Sequence, residues 1–299
     1  MQDYTLTAEE YKAKKETERK EILSQLEDGV KAVFSSDKYT EFLRAYSKFH
    51  NYSVGNTIMI LSQKPDAERV ASFTTWKRMD RHIKKGEEGI QIIVPSPYTF
   101  EAKVEGKDEP EEMTGMGFRT GYVFDISQTE GKPLPSLITV LTENSPEIKQ
   151  VIEKMVTTSD VPIYFDKPIK ESSNGYYHLT ENFIAVKPNL SDTQTFKTLI
   201  HEMAHSKLHG KDTEHLSAFE REVQAESVAY VVCHKYGVDT SDYSFGYIAG
   251  WSENKDVKEL KSSLDTIGKC ADQIIEKIGK ALGIEERELP QKQAQGMER

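Results

Sequence analysis

Apolar residues recur with helical spacing near both ends of this chain and alternate in a strand-like way in two middle stretches. Those changes of period predict its elements. Residues 7–33 read as one long helix, with Thr7 as N-cap and Glu9 and Glu10 in the first turn. Its apolar residues, Tyr11, Ile22, Leu23, Leu26, Val30 and Val33, are sparse at first and denser later, so the early half is expected to be a solvated face or a mobile arm. Shorter helices follow over about 38–46 and 53–63, the second stopped by Lys64-Pro65. Ile90–Pro95 is a strand run of Ile and Val ended by proline, and Phe118–Ile126 is a second strand expected to pair with it. The stretch 101–116 between them is polar, charged and glycine-containing, which predicts a hairpin tip or a mobile loop.

Gly131-Lys132-Pro133-Leu134-Pro135 is the best linker candidate and places the domain boundary. A helix is expected over 146–157, a short strand over 161–165, and a hairpin from 175–179 and 183–186. A helix capped by Asp192, or by Ser191 with Gln194, comes next. Residues 258–282 form a long amphipathic helix with Leu260, Leu264, Ile267, Ile274, Ile275 and Ile278 on one side. The pattern therefore predicts an α+β chain of two domains: 1–135, helices with a small antiparallel sheet; and 136–290, a strand and hairpin packed on helices. A disordered tail is expected over 291–299. There is no internal repeat.

Composition narrows the class. At 299 residues, 37% apolar and 29% charged, with no apolar run of membrane-spanning length and no signal-peptide pattern at its start, the chain reads as a soluble protein of the cytoplasm without a membrane partner. Two cysteines, Cys233 and Cys270, make neither a disulfide framework nor a zinc-finger set, and read as buried free thiols. A net charge of −10 argues against bulk nucleic-acid binding, yet residues 42–100 carry nine Lys/Arg against five Asp/Glu.

The strongest chemistry lies in His201-Glu202-Met203-Ala204-His205. This is HExxH: on a helix the two imidazoles share a face and can bind one ion, and Glu202 can take a proton from a metal-bound water. One helix later Glu222 and Glu226 stand four apart, and by spacing either could be a third ligand while the other supports an imidazole from behind. A strand, a hairpin and then the metal helix is what a small zincin needs, with an edge strand able to hold an extended peptide. His209 follows His205 by four, but the longer HExxHxxGxxH pattern fails at Leu208 and Lys211, so His209 reads as a packing or supporting residue. Tyr243, Tyr247 and His234 are unranked candidates for an oxyanion donor.

Two stretches resemble known families. Tyr46–Thr57, Ala71–Trp76, Ile83–Ile90 and Tyr122–Thr129 together resemble the N-terminal single-strand-DNA-binding domain of ArdC-type antirestriction proteins, which are typically carried by plasmids and conjugative elements. Residues 146–283, with HExxH and the later Glu222-Val223-Gln224-Ala225-Glu226, resemble the ImmA/IrrE-type metallopeptidases. The combination is similar to ArdC and to the LtrC-like proteins of Gram-positive mobile elements. The resemblance implies an ArdC-like domain over 1–135 and a gluzincin-type, zincin-like metallopeptidase domain over 136–290. It implies Zn²⁺ on His201, His205 and Glu222, with Glu226 supporting a ligand and Glu202 as general base. It also implies single-stranded DNA as a partner and a peptide as substrate. Stacking rings and cations for DNA are expected from Tyr52, Trp76, Arg78, Arg81, Lys84 and Lys85. Asn51 and Asn56 read as turn and cap residues. The competing expectations are a non-enzymatic antirestriction protein with a structural metal site, which the acidic charge favours, and a protease that cleaves a repressor with DNA as trigger.

Overall fold

The computed structural model describes residues 8–102, 111–134 and 140–284. The chain forms helices α1 (Ala8–Val33), α2 (Ser36–Phe49) and α3 (Val54–Gln63), then strand β1 (Val70–Ala71), the short helix α4 (Phe73–Arg78) and strands β2 (Arg81–Ile83), β3 (Ile90–Ala102), β4 (Glu111–Asp125) and β5 (Thr129–Gly131). After these come α5 (Pro146–Thr157), β6 (Ile163–Tyr164), β7 (Gly175–His178), β8 (Phe183–Val186), α6 (Asp192–Leu208), α7 (Ala218–Lys235), α8 (Ile248–Ser252) and α9 (Val257–Ala281). The α+β expectation holds. Among the described residues two compact units separate: those within 8–32 and 55–132 make the first, and those within 33–54 and 133–284 the second. Helix α2 thus joins the later part of the chain, where it packs on α7. Its pattern of apolar residues cannot say which partner covers them. The expected cut at 135, the tail over 291–299 and the Thr7 cap lie outside the described residues.

In the first unit, β4 pairs antiparallel with β1 and β3, and β2 pairs with β5. Strands β3 and β4 run well past the expected ends, through Ala102 and from Glu111, so much of the stretch read as a loop is a continuous two-stranded ribbon. Polar residues misled the reading because a ribbon with both faces wet has no apolar alternation to display. Asn56 does not cap a turn: its side-chain amide donates to Ile93 O at 2.9 Å and accepts from Ile93 N at 2.8 Å. Gln63, two helical turns later, does the same to Gln91, at 2.9 and 2.8 Å. The two amides satisfy the outer edge of β3, where unpaired backbone groups would otherwise meet α3.

Asp125 ties this unit together. Its buried carboxylate accepts from Glu68 N at 2.8 Å, Arg69 N at 2.9 Å and Ser127 N at 2.9 Å. Gln128 closes a capping box with it and reaches Glu88 O at 2.8 Å. Burial acts to raise the Asp125 carboxyl, but the hydrogen bonds outweigh it and hold it below its ordinary value.

In the second unit, β8 lies between β6, which is parallel to it, and β7, which is antiparallel. Strand β7 is therefore an edge, and α6 packs on β7 and β8. Helix α7 packs on α6, α2 and α9 through its buried Val223, Val228, Val231 and Val232. Among the described residues no helix is long and apolar enough to cross a membrane.

Candidate metal centre

Helix α6 starts where Ser191 Oγ accepts from Gln194 N at 3.2 Å, the second of the two caps that the spacing allows. The Glu143 carboxylate accepts from Thr193 Oγ1 at 2.6 Å, Thr193 N at 3.0 Å and Asp192 N at 2.8 Å, and these hold its carboxyl down at about 2. Helix α7 starts in a capping box of Ser217 and Glu220. Lys255 grips that Glu220 at 2.6 Å, so Glu220 belongs to the scaffold.

The two helices bring His201, His205 and Glu222 together. His201 Nε2 and His205 Nε2 are 3.1 Å apart, His201 Nε2 is 3.5 Å from Glu222 Oε2, and His205 Nε2 is 3.4 Å from Glu222 Oε1. Ligands at about 2.0–2.1 Å from a tetrahedral ion lie roughly 3.3 Å from one another. The separations thus suit one ion held by the two imidazoles and the Glu222 carboxylate, each imidazole facing a different carboxylate oxygen. The Glu222 side chain is 56% exposed, so the cluster opens to solvent on that side. Hydrogen bonds from His201 and His205 push the Glu222 carboxyl well below the carboxylate range. Burial acts to lower His201, but Glu222, Glu202 and Glu226 outweigh it and raise it.

Glu202 is buried beside this triangle, and burial raises its carboxyl while the two histidines oppose. The backbone N–H of Tyr177 on β7 opposes that rise more weakly. Glu226 accepts the Tyr247 hydroxyl at 2.5 Å, and no hydrogen bond joins it to a ligand imidazole among the described residues. His209 takes the place behind the ligand that Glu226 was expected to fill: its Nδ1 lies 2.8 Å from His205 Nδ1, and its Nε2 lies 3.1 Å from Gln224 Oε1. Burial lowers His209 to about 4. Gln224 carried no signal in the sequence beyond its place between Glu222 and Glu226. Of the oxyanion candidates, Tyr247 lies beside the carboxylates, and its hydroxyl is raised by burial and by Glu226. Tyr243 packs against Tyr230 under Lys197, and His234 bonds Ser47 and stacks on Tyr230. His178 stacks on Phe183 and accepts from Glu181 N, a structural role.

The residues expected to bind DNA are not one surface. Trp76 is 1% exposed and donates Nε1–H to Phe124 O at 2.8 Å, and Tyr52 is 5% exposed against Phe49. Both are core, and neither ring has a free face for a base, which corrects the stacking expectation. Arg81 is committed to Thr129 Oγ1 at 2.8 Å and Lys132 O at 2.7 Å, whereas Lys84 donates one N–H to Ser127 O at 2.7 Å and is itself exposed, with two further donors. Arg78 and Lys85 are exposed. Exposed rings of the first unit lie elsewhere, at Phe73, Tyr98, Phe118 (63%) and Tyr122 (54%); the last two share one face of β4, with Met116 beside them.

Residues 12–124 match the family described as the N-terminal domain of anti-restriction factor ArdC. The chain is 30% identical to an uncharacterized Bacillus anthracis protein, pXO2-81, over 314 aligned positions that take in 91% of this chain and 53% of the relative. It thus spans about half the length of the curated relative it matches. Two crystal structures of the antirestriction ArdC protein from the R388 plasmid are similar. The metal-free one has 20% identity and a TM-score of 0.47 over 76% of this chain and 85% of that one. The Mn(II)-bound one has 18% identity and a TM-score of 0.45 over 78% and 86%. The likeness to the ArdC N-terminal domain thus extends over residues 12–124, within the part of the chain that carries the first unit.

Proposed function

We propose that this chain is an ArdC-type antirestriction factor whose second unit is a metal-dependent peptide hydrolase and whose first unit binds single-stranded DNA. The triangle of His201, His205 and Glu222 carries the hydrolase reading. Two imidazoles and a carboxylate with an open fourth position suit Zn²⁺ in a catalytic role, and a structural site would be closed by a fourth protein ligand. The solvent exposure of Glu222 favours the enzyme over the non-enzymatic alternative on that ground. A bound Zn²⁺ supplies Lewis-acid polarisation of the scissile carbonyl and acidifies a water. Glu202, buried beside the triangle with its carboxyl raised by that burial, would take a proton from an attacking water and pass it to the leaving amine. Edge strand β7 can pair with an extended peptide.

Metal content of the purified chain after zinc reconstitution, with hydrolysis of a quenched peptide library, tests this. His201→Ala with His205→Ala is expected to lose the metal, while Glu202→Gln keeps it and loses hydrolysis. A wild type that takes up no divalent ion overturns the reading, and one that binds zinc but cleaves nothing favours the non-enzymatic alternative.

For DNA, the Phe118–Tyr122 face supplies rings that unstacked bases can cover, and Arg78, Lys84 and Lys85 supply phosphate contacts. Anisotropy titrations of labelled single strands and duplexes at low salt are expected to favour the single strand. Equal or absent binding would remove this part of the reading.

A further inference from the structure

We propose that His209, held in turn by Gln224, is a positioning residue that selects which nitrogen of His205 is left bare to bind the metal. The proposal rests on the metal centre described above and adds to it the part that sets the ligand's tautomer. His205 has two ring nitrogens with separate surroundings. Nε2 faces Glu222 at 3.4 Å and His201 at 3.1 Å, while Nδ1 faces only His209 Nδ1, at 2.8 Å. A contact that short between two ring nitrogens needs one proton between them, since two would clash and none would leave two lone pairs opposed. The other nitrogen of His209 settles which ring carries it. His209 Nε2 lies 3.1 Å from the Gln224 carbonyl oxygen, an acceptor only, so that nitrogen bears a hydrogen. A neutral His209 then has a bare Nδ1, which accepts from His205 Nδ1–H. His205 Nε2 is left without a hydrogen, and its lone pair points into the ligand triangle.

Gln224 and His209 are both buried, so water cannot substitute for either partner. His209 is also the C-cap of α6, its backbone N–H bonded to His205 O at 2.9 Å, which fixes its ring one turn beyond the ligand. An amide is suited to the end of this relay because it carries no charge and keeps the buried set neutral. Most supporting partners of metal-bound histidines act by the same physics, with a carboxylate, carbonyl or water in that place.

Two variants of the full-length protein break the relay: Gln224→Met, which keeps size and removes the acceptor, and His209→Phe. Co²⁺ titration followed by its visible absorption bands reads affinity and geometry without any turnover. Both variants are expected to bind Co²⁺ about 10–100-fold more weakly, as loss of such partners does, while Gln224→Glu, which keeps the acceptor, is rescued to within about threefold. Circular dichroism of each variant separates this from unfolding. For any variant that fails to fold, long-range ¹H–¹⁵N NMR of the zinc-loaded wild type decides: His205 is expected to carry its hydrogen on Nδ1 and His209 on Nε2. Unchanged Co²⁺ affinity in folded Gln224→Met and His209→Phe, or His205 protonated on Nε2, overturns the proposal and leaves the metal centre standing. A wild type that binds neither ion overturns the metal centre itself.

Discussion

Gly175→Ala tests whether β7 and α6 meet as closely as the site requires. Gly175 opens the edge strand opposite the helix that carries Glu202. A Cβ added there would stand 2.6 Å from Thr198 Cγ2, 2.8 Å from the backbone oxygen of Ala185 and 3.3 Å from Glu202 Cγ. The threonine can turn, but the Ala185 carbonyl is held in β8 and cannot yield without moving the strand pair. The backbone of Gly175 is not left-handed, so alanine carries no conformational penalty and gains up to about 1 kcal/mol from a stiffer unfolded chain. Overpacking of this kind costs about 1–3 kcal/mol. The expected net loss is therefore about 1–2 kcal/mol, read as a lower urea midpoint with an unchanged slope. Gly250→Ala is the control: Gly250 lies in α8 of the same unit with nothing within 4 Å of an added Cβ, and alanine there should be neutral or stabilising by up to about 1 kcal/mol. The reasoning fails if Gly175→Ala is as stable as Gly250→Ala, since the close approach would then not exist.

Trp76→Phe keeps the ring but orphans the buried Phe124 carbonyl, and should cost about 1–3 kcal/mol in denaturant unfolding without altering single-strand affinity of the folded protein. Phe118→Ser with Tyr122→Ser should leave stability near wild type and weaken single-strand binding by about 1–3 kcal/mol per stacked base, with the salt slope unchanged; Lys84→Gln with Lys85→Gln should instead flatten that slope in the same anisotropy titrations. Burial acts to raise Glu220, but Lys255 and Ser217 outweigh it and set it at about 2, below the ordinary carboxylate value of its unfolded form. Its stabilising effect is thus present in full above roughly pH 4.5 and lost as pH falls toward 2, at about 1 kcal/mol after solvent screening. Glu220→Gln should flatten thermal stability across that acid window, and an unchanged acid limb would refute the assignment.

The metal helix was legible because its chemistry fixes a spacing. Two imidazoles on one face must stand four apart, and Glu202 must follow the first, so the ligands can be read before any fold is known. Spacing alone left Glu222 and Glu226 equivalent and the resemblance favoured the first; in space the first faces both histidines and the second faces Tyr247. His209 was noticed, but its partner Gln224 was not, because a glutamine between two glutamates on a helix has no spacing that announces a buried histidine 15 residues earlier. Local elements such as α5 and the β7–β8 hairpin follow from caps and alternation, whereas the transfer of α2 to the second unit depends on packing far along the chain, including the Tyr39–Ser227 hydroxyl pair at 2.8 Å.

The first unit shows why the residues that reveal a domain need not be those that meet its ligand. Asp125 satisfies three backbone amides at once, Gln128 bridges two loops, Trp76 fills a core position and caps a strand carbonyl, and Asn56 completes a strand edge. Each task admits very few side chains, since length, planarity and donor count must all match a buried backbone. Such residues stand out in a sequence and invite a functional reading, as Trp76 did. A stacking surface asks less: a flat ring with one open face, at a spacing the bound strand can adapt to. Phe118 and Tyr122 meet that requirement on a ribbon whose surroundings read as polar loop, and their exposure, not their pattern, makes them the rings that a base can reach. Where burial satisfies a side chain completely, nothing remains of it to offer a ligand, and the search for an interface belongs on what the fold leaves uncovered.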